Sequence, residues 1–328
     1  MTFELSTPEA KFAVRTIKAA SILAEEVRQE LAGATLAKGD RSPVTVADFA
    51  VQALVAHELS KEFPKDGFMA EESSALLREA GGKEVLARVL HFLRRIAPDA
   101  TEQSIFDWID CGAKKVGRRF WTLDPVDGTK GFLRADQYAV AFALIEDGEV
   151  RAGVLGCPNL SDASRPSVGG EGTLAMAFKG QGSWYTALKT PGRFKPLKVS
   201  DRRDTTQAVL LHSSDAGHTD TDRNDRFMQT LGISHHSVIA MSSMAKYVVL
   251  ASGTADLQLR IPTNPERFEC IWDQAAGAIL VHEAGGRVTD LKGKAFDYTK
   301  GRTLAANYGV LASNGHVHDA ALKAFAGL

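Results

Sequence analysis

Between residues 8 and 31 apolar side chains recur at Phe12, Ala13, Ile17, Ala20, Leu23, Ala24, Val27 and Leu31, with Pro8 near the start and Gly33 just beyond. That spacing lays them along one face of a long amphipathic helix. Pro43 and its β-branched neighbours predict a turn or short strand, and Asp48 opens a second helix that Pro64 stops. A short apolar segment then runs into Glu71 and Glu72, residues 84–96 read as a helix, and 98–119 read as an irregular stretch. Its last residues include Lys114, Lys115, Arg118 and Arg119, a cluster expected to be a solvated loop.

From Phe120 to Leu123 the aromatic and β-branched character is that of a strand, and Pro125 with Asp127-Gly128 supplies the chemistry that ends one. Two apolar runs joined by Glu-Asp-Gly-Glu, residues 146–149, predict a hairpin, and a second apolar pair follows within 173–188. The Gly- and Ser-rich stretch between the two pairs, Ser161 to Gly172, is the candidate domain boundary, with a plain loop as the alternative. From Ala208 strands alternate with helices, which implies an α/β second half. No internal repeat or low-complexity tract stands out.

Composition adds mainly exclusions. At 328 residues with 44% apolar content, the chain fills one large or two packed domains. Thirty-nine basic against 40 acidic residues leave a formal charge of −1, so no long-range attraction to nucleic acid or membrane is implied. The N-terminal residues lack a signal-type apolar core and no apolar stretch approaches the length of a membrane span, so a soluble cytoplasmic protein is expected. Cys111, Cys157 and Cys270 lie far apart without CxxC spacing, which argues against zinc or a disulfide framework and for reduced, mostly buried thiols. Serine-hydrolase, Walker-loop and HExxH patterns are absent from the sequence.

The chemistry concentrates at Phe120 to Leu133. Asp124 and Asp127 would sit at a strand's exposed end, forming an oxygen cluster suited to Mg²⁺, a hard cation that keeps some of its waters. Backbone amides after Gly128 would face an anion. A plain turn is the bland alternative, whereas an EF-hand is excluded because the twelfth residue from Asp124 is Ala135. Glu71, delivered by another short apolar segment, is a candidate third ligand. Asp273, before an apolar helix, either caps it or reaches back as a ligand. Asp48 at a helix start reads as a cap when taken alone. Ser243 and Lys246, expected on one helix face, and Arg260 would together suit a second phosphate.

In this order, the segments SPVTVAD, MAEES, LDPVDGTKGF, SMAKY and IWDQAAG resemble the metal-dependent phosphatases of the inositol monophosphatase superfamily, and within it the 3'(2'),5'-bisphosphate nucleotidase family. The likeness spans nearly the whole chain. It implies a layered αβαβα sandwich, α+β and α/β in its parts, with two packed domains: residues 1–160 carrying most metal ligands, and 161–328 carrying nucleotide-binding residues and Asp273. By position it implies that Glu71, Asp124, Asp127, Asp273 and the Val126 carbonyl hold two or three Mg²⁺ ions. Asp48 and Thr129 would position and deprotonate the attacking water, and the Gly128 and Thr129 amides would hold the scissile phosphate. Ser243, Lys246, Arg260 and His218 would hold the nucleotide and its remaining phosphate. The expected substrate is 3'-phosphoadenosine 5'-phosphate, with its phosphosulfate as a second, and lithium and sodium sensitivity is implied. A monomer without nucleic-acid or membrane partners is expected. Ala70, where a Gly is usual, and Gln274, where several relatives have His, depart from the pattern and leave fine substrate preference open. The alternatives are an inositol phosphate phosphatase with the same metal site, or a non-catalytic protein that binds nucleotide and metal.

Overall fold

A computed structural model describes residues 3–30, 35–37, 43–79, 81–213, 221–264, 266 and 268–328. Helix α1 (Pro8–Glu30) leads through two short antiparallel strands, β1 (Thr35–Ala37) and β2 (Pro43–Thr45), into α2 (Val46–Glu62). Strand β3 (Gly67–Ala70) is followed by three helices, α3 (Ala75–Arg78), α4 (Gly82–Leu93) and α5 (Glu102–Cys111). Next come β4 (Arg119–Asp127), α6 (Thr129–Leu133) and the hairpin of β5 (Ala139–Glu146) and β6 (Glu149–Cys157). A small pair, β7 (Leu160–Ser161) and β8 (Arg165–Pro166), precedes β9 (Thr173–Phe178), β10 (Ser183–Ala187) and β11 (Lys195–Leu197). The remainder runs β12 (Leu210–His212), α7 (Thr221–Leu231), β13 (Val238–Ala240), α8 (Ala245–Ala251) and β14 (Leu257–Arg260). It ends with α9 (Ala275–Glu283), β15 (Arg287–Thr289), β16 (Val310–Ser313) and α10 (His318–Ala326).

The strands form a seven-stranded sheet, ordered β11-β10-β9-β6-β5-β4-β3, and a five-stranded sheet, ordered β13-β12-β14-β16-β15. In the larger sheet only β3 and β4 run parallel. Strands β13, β12 and β14 are parallel, and β16 is antiparallel to both its neighbours. The changeover between sheets falls after Leu197, because β9 continues the larger sheet beyond the 161–172 loop by pairing with β6.

Side-chain alternation explains the layering. On β5, Val140, Phe142 and Leu144 join the core under α1 and α2, where Trp121 stacks on Phe142 at 4.8 Å between ring centroids. Fully burying each such side chain is worth roughly 1.5–3 kcal/mol. Ala139, Ala141 and Ala143 face the other way, into the core that α8 and α9 share with the smaller sheet. Such small side chains let α9 come close: a Cβ at Gly153 would lie 2.5 Å from Ile279. A third core, with Phe227 and Ala321, fills the space under α7 and α10. The order is therefore helices, sheet, helices, sheet, helices, the expected αβαβα sandwich.

Two expectations are corrected. Residues 98–119 are not irregular: α5 forms there, with Thr101 and Ser104 in a capping box and Ile105 and Ile109 buried. Arg119 leaves the solvated cluster, pairing with Asp66 and Glu9 at 3.0 Å as the first residue of β4.

Candidate active site

The parallel pairing of β3 with β4 puts Ala70 opposite Leu123, so both strands deliver an acid, Glu71 and Asp124, at the same carboxyl edge. The Glu71 N–H donates to the Leu123 carbonyl at 3.3 Å and extends that register. Between Asp124 and Asp127 the pairing with β5 shifts by a bulge, which re-aims the side chains there. Asp124, 2% exposed, accepts a bond from the Val126 N–H at 3.1 Å. Gly128 then takes the left-handed φ of +84°, and a Cβ there would sit 2.9 Å from the Ser243 Cβ. Only glycine gives both the turn and this close approach of the two halves.

The second half is locked on at the same point. Asp127 accepts a hydrogen bond from the Met244 N–H. Ser243 is not on the helix, as the sequence suggested, but precedes α8 with φ +69°. Its carbonyl accepts from Lys246 Nζ at 2.9 Å, and its hydroxyl oxygen accepts from the Ala245 N–H at 3.2 Å. Arg260, at the end of β14, pairs with Glu269 at 3.0 Å, and Gln274 donates to the other Glu269 oxygen at 3.0 Å. Tyr247 donates to Gln274 in turn. The N-cap residue of α9 is Gln274, whose side chain makes no capping bond, and Asp273 stands just before it.

Asp48 does serve as a cap. One of its oxygens accepts from the Thr45 N–H at 2.8 Å and from the Thr45 hydroxyl at 2.5 Å, completing a capping box on α2. The Thr129 hydroxyl donates to the Val126 carbonyl at 3.2 Å. Thr45, Glu269 and Tyr247 were missed from sequence. Only Thr45 had a readable signal, the Thr-x-x-Asp spacing of the capping box. His218 lies outside the described residues.

Electrostatics tie the acids together. Burial first, then the charges of Glu71, Asp127, Asp273 and Asp48, hold the Asp124 carboxyl well above the usual carboxylate range. Burial likewise raises Asp127, opposed by Lys246, the Met244 amide and Arg260. Asp273 is raised well above its ordinary value by burial and by Asp127, Glu269 and Glu71, with Arg260 opposing. Among the described residues no three His, Cys, Asp or Glu side chains are drawn together at ligating distance, so these acids meet as mutually repelling charges. The donor set still fits Mg²⁺: it is oxygen only, rich in carboxylate, and the raised pKa values of Asp124, Asp127 and Asp273 are what a nearby divalent cation would reverse.

The family model described as "Inositol monophosphatase family" matches residues 6–326. The chain belongs to this family, whose members are metal-dependent phosphatases. It is 40% identical to the 3'(2'),5'-bisphosphate nucleotidase of Emericella nidulans, covering 99% of this chain and 98% of that one. Proteins with the same name from Dictyostelium discoideum and Oryza sativa are 39% and 37% identical, covering 94% and 96% of this chain and 93% of each of their own. In fold it is similar to the Thermotoga maritima IMPase (TM-score 0.66, 22% identity, 98% of both chains). It is also similar to the extragenic suppressor protein suhB of Bartonella henselae (TM-score 0.67, 21% identity, 97% and 98% of the chains).

Proposed function

We propose that this chain is a Mg²⁺-dependent 3'(2'),5'-bisphosphate nucleotidase that hydrolyses 3'-phosphoadenosine 5'-phosphate to AMP and phosphate, with the phosphosulfate as a second substrate. The observation that carries this reading is the near-full-length 37–40% identity to relatives of that name, against 22% to an inositol monophosphatase of the same fold.

A phosphomonoester dianion repels nucleophiles, and four carboxylates, Glu71, Asp124, Asp127 and Asp273, with the Val126 carbonyl, are assigned to hold two or three Mg²⁺ ions against that repulsion. Bound there, the metal supplies positive charge that neutralises the phosphate and acidifies water. The chain's own groups do the rest. Thr45 fixes one Asp48 oxygen through two donors, which orients the carboxylate to take a proton from the attacking water. Thr129 positions that water, and its amide and that of Gly128 hold the scissile phosphate. The water oxygen bonds to phosphorus as the bond to the ribose oxygen breaks, and the leaving oxygen ends protonated. Ser243, Lys246 and Arg260 are assigned to the nucleotide's other phosphate, Arg260 being steadied by Glu269.

The test is phosphate release with Mg²⁺ from 3'-phosphoadenosine 5'-phosphate, its phosphosulfate and inositol phosphates. We expect kcat/KM for the bisphosphate to exceed that for inositol phosphates by about 10²-fold or more. Asp48→Asn and Asp127→Asn should each lower turnover by about 10³-fold. Preference for an inositol phosphate would move the chain to the alternative substrate class. Wild-type turnover in both variants would refute the residue roles.

A further inference from the structure

A cavity of about 680 Å³ opens between the start of β4 and the segment before β16. That volume suits a small organic ligand. Its apolar wall contains Met69, Phe120 and Tyr298, at 3%, 5% and 8% exposure. Around it stand four cations, Lys114, Lys115, Arg118 and Arg302, and one acid, Asp147. Among the described residues only Arg118 of the four has a carboxylate partner, Asp147 at 2.5 Å.

Arg302 is the most informative of these. Its guanidinium donates to the carbonyls of Ala70 at 2.6 Å, Gly112 at 3.0 Å and Glu71 at 3.4 Å, and lies 4.5 Å over the Trp272 ring, with the Glu71 and Glu72 charges nearby but not paired with it among the described residues. Carbonyl dipoles and a ring face steady a cation but do not neutralise it. In a chain of formal charge −1, this one concave and partly apolar surface therefore concentrates positive charge. We propose that the cavity is a binding site for a small molecule carrying a phosphate, sulfate or sulfonate group on an aromatic ring. The ring packs on Phe120 and Tyr298, and the anion sits among Lys114, Lys115 and Arg302. The site does not depend on the catalytic reading above.

The probe is naphthalene-1-sulfonate, titrated calorimetrically into the full chain in metal-free buffer. We expect saturable binding that weakens with added NaCl, as a charge-assisted site requires. The double variant Lys114→Gln/Lys115→Gln changes exposed side chains only, and thermal melts check that it folds as the wild type does. It should bind about tenfold more weakly. Lys246→Ala, in the candidate active site, should bind as the wild type does. Absence of saturable binding overturns the proposal, as does binding unchanged in the double variant or lost in Lys246→Ala. If inorganic sulfate binds as tightly as the aryl sulfonate, the ring's part in recognition is refuted.

Discussion

Asp124 and Asp256 are equally hidden, at 2% and 0% exposure, yet their surroundings are opposite. Asp256 accepts from the Ser200 hydroxyl, from Arg202 at 2.9 Å, from the Val209 N–H at 2.8 Å and from Asn314 at 3.1 Å. It ties β12, β14 and the end of β16 together, and its charge is matched. Asp124 has the Val126 amide as its one hydrogen-bond donor among the described residues and is ringed by other acids. Burial alone therefore does not distinguish these two carboxylates, whereas the balance of donors against like charges does. A buried acid with four donors is complete in itself. One held among acids is complete only with a cation.

The largest test of that contrast is Asp256→Ala, which leaves Arg202 and several donors unmatched. It should cost about 3–5 kcal/mol in urea-unfolding measurements. Asp124→Asn should have the opposite sign, making metal-free protein more stable by roughly 1–2 kcal/mol through relief of repulsion, while phosphate release collapses. A loss of stability as large as that of Asp256→Ala would break the comparison. The smallest effect concerns His318, fully buried between Ser313 at 2.8 Å and Thr289 at 3.0 Å. Burial pushes its pKa down to about 4 from 6.5, so the fold favours the neutral ring. Its contribution is complete above pH 6.5 and is lost as pH falls towards 4. Thermal melts of wild type against His318→Gln should therefore converge as the pH is lowered through that window.

Local pattern carried much of the fold. The spacing from Phe12 to Val27 placed α1, and Glu146 to Glu149 placed the turn between β5 and β6. Helix α5 escaped because its apolar residues, Ile105, Phe106, Trp108 and Ile109, are interrupted by acids within a short span and its capping box uses a serine rather than an acid. Arg119 escaped because its partners Glu9 and Asp66 are remote in the chain. At the candidate site, Glu71 just after β3 was legible from strand-end chemistry, whereas β4 runs on through Asp124 to Asp127 and buries Asp124 where an exposed strand end was expected. Glu269 was not legible, since its meaning lies in contacts to Arg260 and Gln274. Ser243 was read onto a helix because nothing in its neighbours announces a left-handed backbone; the tight fit against Gly128 makes sense of it only in three dimensions.

The bond from the Met244 amide to Asp127 spans 117 residues of chain. Contacts of such sequence separation close late, after local helices and hairpins have formed, because loop closure must precede their reward. In refolding experiments, recovery of helical signal should thus run ahead of recovery of turnover. A nascent chain released after β5 would hold Glu71, Asp124 and Asp127 but neither Asp273 nor the amide that seats Asp127.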